Sequence, residues 1–307
     1  MRNALARTLY ELAKRDERIV VLVADISPAG AMEDFRREFP SRFINVGVAE
    51  QSMIGLAAGL AVRGFRPFCY TIATFALFRA YEFIRCDLAY QDLPVTVVGM
   101  GAGLSYPTLG GTHQAVEDVA VAMACPNLTV LTPCDPLEVA ECARWCAGRE
   151  AGGPVYVRIG KVGEPVLTTW TDISWEPGTL RVLHLGEEGG TCVLGYGPIM
   201  SLALDAARAD GSITVLSATS LHPLGDDVLE WAATLYAKII LVEEAAGAPL
   251  AGRLRALAHS LGDSVVIRSL ALPRDFPHGC GTREQLLAAA GLSAEKILSA
   301  RWSWGRQ

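Results

Sequence analysis

An α/β fold of two parallel-sheet-dominated domains is predicted by three observations. Short β-branched apolar runs recur along the 307 residues, helical patterns alternate with them, and the alternation breaks once, past residue 161. A chain of this length predicts about two domains at ~150 residues each. The division expected is 1–161, a linker at 162–185 with prolines at 165 and 177, and 186–307.

The elements follow in order. The first residues, MRNALARTLYELAKRDER, read as an amphipathic helix, and IVVLVA at 19–24 reads as a buried parallel strand ending at Asp25. A helix at 31–38, a strand at 43–46, a helix opening at Glu50 and a strand at 66–72 come next. A helix over 74–91 leads to the strand VTVVGM at 95–100 and the loop AGLSYPTLGGTH. NLTVL is a strand, Asp135 opens a helix after a Pro-bounded turn, and PVYVRIGK at 154–161 closes the first domain. Strands at 191–196, 213–217, 238–242 and 264–268 then alternate with helices at 198–209, 226–235 and 249–261.

Composition narrows the function. With 51% hydrophobic and 20% charged residues the chain can bury a large core. Its net charge of −6, without a basic block, argues against nucleic acid and anionic membranes as partners. There is no signal-peptide pattern and no apolar run long enough to span a bilayer. Eight scattered cysteines without a CxxC read as reduced core thiols, which predicts a cytoplasmic protein. Cys142 and Cys146 lack a His or acid partner at metal spacing, so no metal site is expected on this chain.

The chemistry concentrates between Asn45 and Tyr81. Glu50 is the only acid there, at the first turn of a helix whose glycines at 55 and 59 leave one face nearly bare. The helix dipole favours its ionised form and burial opposes it, so sequence leaves its protonation open. Phe75, Phe78 and Tyr81 follow at i, i+3 and i+6. Such a stripe is ordinarily core, but beside an unpaired buried acid it makes a place for a flat heteroaromatic ring.

GVAEQSMIGLAAGLA, TFALFRAYEF and GGTHQAVED, in this order, resemble the pyrimidine-binding module of transketolases and 1-deoxyxylulose-5-phosphate synthases. The resemblance runs from about Asp25 to the end, and the ordered set is specific where one motif alone is weak. It implies a thiamine diphosphate enzyme in which the acid matching Glu50 bonds N1′ of the aminopyrimidine and promotes loss of the thiazolium C2 proton. Asp25, Val48, Phe75, Phe78 and Tyr81 would line the cofactor, and His113 would assist proton transfer or hold an oxyanion. Leu109 and Arg158 would face substrate, with Arg158 as an anion anchor and Lys161 in support. Without the resemblance, Asp25 reads equally as a turn cap, His113 as a satisfied loop residue and Arg158 as a strand-end ion pair. His222 and His278 read as surface or turn residues.

Departures from the pattern matter as much. Leu109 precedes Gly110 where the sugar-phosphate enzymes carry an aspartate, Gly101 stands near an expected histidine, and Ala29 near an expected serine. Ala49 and Gln51 replace the Arg and His of many transketolases. Each lost hydrogen bond removes ~1 kcal/mol or more, so a substrate unlike the usual ketose phosphates is expected. The Gly-Asp-Gly segment with its later Asn is also missing, and Gly225-Asp226-Asp227 does not replace it. This chain is therefore read as the C-terminal subunit of a split enzyme. Mg2+ or Ca2+ and the diphosphate would sit on an N-terminal-half partner, in an α2β2 assembly paired through the small-residue helices. The alternatives are the β subunit of a 2-oxoacid dehydrogenase and a non-catalytic assembly subunit.

Overall fold

The computed structural model describes all residues except 27–30, 169–174, 261–264 and 303–307. Its first half builds from α1 (Arg2–Ala13), β1 (Ile19–Val23), α2 (Ala31–Glu38), β2 (Phe43–Asn45), α3 (Glu50–Val62) and β3 (Arg66–Ile72). A π-helical turn (Phe75–Arg79), α4 (Tyr81–Phe83) and a second π-helical stretch (Ile84–Ala89) lead to β4 (Thr96–Met100). Then come α5 (Asp118–Met123), β5 (Thr129–Leu131), α6 (Pro136–Gly148) and β6 (Val155–Ile159).

These strands pair in the order β5-β6-β4-β3-β1-β2, all parallel. Residues of β1 point alternately to two cores, Val20 and Leu22 to one and Ile19, Val21 and Val23 to the other. Both faces are therefore covered, which is why the strand reads as a continuous apolar run. On one face α1 and α6 contribute Leu5, Leu9, Val139, Cys142 and Cys146; on the other α3 contributes Met53, Ile54 and Ala57. Helix α6 starts where Asp135 caps the Glu138 N–H at 2.8 Å and Pro136 presets the first turn.

The second half adds β7 (Leu180–His184), β8 (Gly189–Gly195), α7 (Met200–Ala209), β9 (Thr214–Ala218), β10 (Ser220–His222), α8 (Asp226–Leu235) and β11 (Tyr236–Ala246). It closes with α9 (Pro249–Ser260), β12 (Val266–Leu272), α10 (Arg283–Ala289) and α11 (Ala294–Trp302). The second sheet has the order β12-β11-β8-β9-β7, parallel except for β7. Mostly parallel sheets with helices on their faces are the predicted α/β class.

Three sequence expectations change. Strand β7 lies inside the stretch read as a linker, because an antiparallel edge strand that is only half buried carries no continuous apolar run. Strand β10, three residues long, crosses back to pair antiparallel with β5, so the first sheet has seven strands and takes its edge from the second half. The segment 74–91 is not a regular α-helix: its π-helical turns break the 3.6-residue spacing assumed for Phe75, Phe78 and Tyr81. His222 and His278 are exposed, and Cys142 and Cys146 are buried and free. No helix among the described residues is long and apolar enough to cross a membrane.

Candidate active site

Gly47, at φ +72°, turns the chain from β2 into α3 and brings Glu50 to the helix's first turn. Glu50 is 2% exposed, yet it is not the unpaired acid expected from sequence. Arg79 Nη1 donates to both of its carboxylate oxygens at 2.9 Å. The wide turn at 75–79 makes this possible, stacking the Arg79 guanidinium 4.4 Å over the Phe75 ring.

From Phe75 the contacts continue. Its ring meets the His113 imidazole at 5.3 Å and 70°, and His113 meets Tyr106 at 5.6 Å and 60°. Lys161 places its ammonium 4.2 Å over the far ring, that of Tyr106. A single file of contacts thus runs Glu50, Arg79, Phe75, His113, Tyr106, Lys161. Thr74 Oγ1 donates to the Thr112 carbonyl at 3.1 Å, fastening the aromatic turn to the histidine loop. Within that loop His113 Nδ1 lies 2.9 Å from Thr112 Oγ1. Engagement of Nδ1 orients the ring and leaves Nε2 for a ligand.

The other predicted residues are placed as follows. Phe78 packs on Ala73, Ala102 and Ala115 at the base of the loop. Tyr81 turns toward the core, where burial and then the neighbouring Cys125 raise its phenol. Asp25, exposed at φ 45°, ends β1, and its N–H is held by Asn45 Oδ1 at 3.1 Å. Val48 is 71% exposed on the turn before α3, and Leu109 is 50% exposed. Gly101, at φ +71°, is crossed by the Tyr106 ring, whose atoms occupy the space a side chain would need. A histidine at that position has no room, so Tyr106 supplies the aromatic group there. Ala29 lies outside the described residues.

Arg158 requires a correction. It is 2% exposed and its Nε donates to both oxygens of Asp118, at 3.1 and 2.9 Å. Its Nη2 donates to the Glu244 carbonyl at 2.9 Å. The guanidinium joins the two halves of the chain through these bonds, and Lys161, three residues on and half buried, holds its ammonium over the Tyr106 ring. Reading the sequence missed Arg79 and Tyr106. Arg79 stands four residues after Phe75, and Tyr106 is the sole Phe, Tyr or Trp between Gly101 and His113; those placements are the signals that could have found them.

A buried carboxylate next to a stacked aromatic ring suits the aminopyrimidine of thiamine diphosphate, which offers a ring nitrogen and a flat face. Among the described residues no group of three His, Cys, Asp or Glu side chains is placed to hold a metal ion.

Two joined α/β units with this acid at the head of a helix have the build of a pyrimidine-binding module followed by a second α/β unit. Residues 1–162 match the model of the transketolase pyrimidine-binding domain. The chain belongs to the transketolase family, which implies thiamine diphosphate. It is 32% identical to a 6-deoxy-6-sulfo-D-fructose transketolase subunit from a Clostridium species across 98% of this chain and 92% of that one. A 1-deoxy-D-xylulose-5-phosphate synthase from Thermus thermophilus is 33% identical across 99% of this chain but 48% of its own length. Among solved structures, a split-gene transketolase described as an inactive β4 tetramer superposes with a TM-score of 0.83 at 32% identity, covering 98% of this chain and 96% of that one.

Proposed function

We propose that this chain is the β subunit of a two-chain transketolase-like enzyme, active with an N-terminal-half partner, that moves a two-carbon ketol unit between sugars. The single observation that carries the reading is the buried Glu50 carboxylate, joined through the Arg79 guanidinium to the Phe75 ring and on to His113. Thiamine diphosphate, when bound, supplies the carbon that takes up the two-carbon unit. Glu50 would bond the pyrimidine N1′ and hold or pass a proton there before the donor arrives, and Phe75 and Phe78 would wall the ring. Arg79 steadies the carboxylate. His113 Nε2 meets a substrate oxygen, and Lys161 meets a negative charge at the substrate's far end. Asp25 and Val48 border the cofactor from exposed turns.

The partner would hold the diphosphate and Mg2+ or Ca2+. Self-association is proposed through the outer side of α3, where Leu56 and Val62 are exposed and Gly59 has open space around it. Helix α3 is apolar on all sides, the pattern of a helix covered on all sides.

Leu109 offers no acceptor to a sugar hydroxyl, so poor use of ordinary ketose phosphates is proposed. A ketose ending in a different anion, such as the sulfo group in the name of the Clostridium relative, is the donor class proposed instead, with Lys161 as the cation that meets the anion. The test is donor turnover by the complete complex with xylulose 5-phosphate, an unphosphorylated ketose, a sulfoketose and 2-oxoacids compared. Ketol transfer that needs both subunits and favours a non-phosphate ketose supports the reading. Efficient use of xylulose 5-phosphate, about 10⁴ M⁻¹s⁻¹ or more in kcat/KM, overturns the specificity, and turnover of 2-oxoacids alone overturns the reaction class.

A further inference from the structure

The loop carrying His113 leaves β4 at Gly101 and returns at Ala115 and Val116, and its base is held by the second half of the chain. Gly103 N–H donates to the Ala115 carbonyl at 2.9 Å, closing the loop on itself. Leu104 N–H donates to the Glu244 carboxylate at 2.8 Å. Two residues beyond Glu244, the Ala246 N–H donates to the Val116 carbonyl at 2.6 Å. Between these bonds the Glu244 carbonyl accepts from Arg158, which also reaches the Ala115 carbonyl at 3.5 Å. Each of these attachments to the second half comes from the end of β11 or from the cation bonded to it.

Glu244 itself is 2% exposed and its carboxylate is oriented from behind by Arg283, whose Nε donates at 3.1 Å and whose Nη2 bonds the other oxygen. Gly103, at φ +61°, gives it room: a Cβ there would stand 2.6 Å from the carboxylate carbon. A glutamate fits this gap only if the loop chain passes against it. We propose that Glu244 is a positioning residue, fixing the base of the 101–116 loop and through it the His113 ring between Phe75 and Tyr106. Its consequence for catalysis rests on the role given to His113 above.

Two variants separate reach from charge. Glu244→Asp keeps the charge opposite Arg283 but is one methylene too short to serve Leu104 at the same time. Glu244→Gln keeps the reach and an acceptor oxygen but loses the charge. Amide hydrogen exchange on the free chain reads the loop without any activity. In E244D the amides of 103–105 should exchange about tenfold faster or more, with peptides from β3 unchanged, and E244Q, which keeps one acceptor oxygen but turns an NH2 toward Arg283, should loosen the loop less than E244D. Parent-like exchange at 103–105 in E244D overturns the inference, as does equal acceleration across β3, which signals general loosening. In the complete complex E244D should then raise the donor KM or lower kcat about tenfold, with exchange of the cofactor C2 hydrogen unchanged. A freed loop with unaltered turnover would leave the positioning of the loop standing and remove the role given to His113.

Discussion

Arg158 and Lys161 lie three residues apart at the end of β6, and burial divides their work. Asp118 is fully buried and Arg158 nearly so, so neither charge can be removed without stranding the other in a low-dielectric junction. R158M should therefore destabilise the fold by about 3–5 kcal/mol, measured by urea unfolding. Lys161 is bound only by the face of Tyr106 among the contacts described. K161M should leave unfolding within about 0.5 kcal/mol of the parent and raise KM for an anionic donor with kcat little changed. If R158M instead left stability intact and raised KM, the assignment of the two cations would be reversed. The sequence motif pointed to this strand end but not to which cation faces out, because burial of Arg158 depends on Asp118, forty residues away, and on the end of β11.

At the scale of elements, the central strands were legible because each is a β-branched run covered on both faces. The helix starts at Glu50 and Asp135 were legible from small residues and from a cap followed by Pro136. The π-helical turns were not: the first brings Arg79 to Glu50 on another helix, a contact twenty-nine residues apart that local spacing does not display. Helix α10 opens on a capping box, Thr282 with Gln285, whose T-x-x-Q spacing is a sequence-level start signal. Helix α9 is capped from inside the sheet: buried Glu243 accepts the N–H groups of Leu250 and Ala251 at 3.0 Å each and the Tyr196 hydroxyl at 3.0 Å. Burial raises this carboxyl above its ordinary value, and those three donors pull against the rise. The folded chain thus keeps the Glu243 proton to higher pH than the unfolded chain does. As pH falls from above the raised value toward the ordinary ~4.3, this group adds stability to the parent and nothing to a residue that cannot titrate. E243Q should be less stable than the parent by about 1–3 kcal/mol, and the gap should widen stepwise from pH 7 toward pH 4.5 in urea unfolding. A gap that narrows toward acid would mean the carboxyl is lowered by its donors.

At the scale of the whole molecule, the two halves are one structure: β10 edges the first sheet, and Arg158 and Glu244 lock the junction. The motifs GVAEQ, TFxxFxxY and GTHQ carry Glu50, Phe75 and His113, which the structure brings into one file of contacts through Arg79. The outer side of α3 sets a prediction at this scale. A Cβ at Gly59 meets nothing within 4 Å and the position is exposed, so G59E should fold with parental stability. In sedimentation velocity the parent should run as a dimer or larger and G59E as a single chain. A parent that sediments as a single chain, or G59E that assembles like the parent, would place self-association elsewhere.

Glu50 is proposed to promote loss of the C2 proton of thiamine diphosphate while a partner chain holds the diphosphate. This role is tested most directly by the rate at which the C2 hydrogen of thiamine diphosphate exchanges with deuterium in the complete complex, read by NMR for parent and E50Q and normalised to bound cofactor. Glutamine keeps the size and a hydrogen bond but cannot relay the proton, so exchange should slow by about 10²-fold or more while cofactor affinity falls far less. Equal exchange rates in the parent and E50Q complexes would remove Glu50 from cofactor activation.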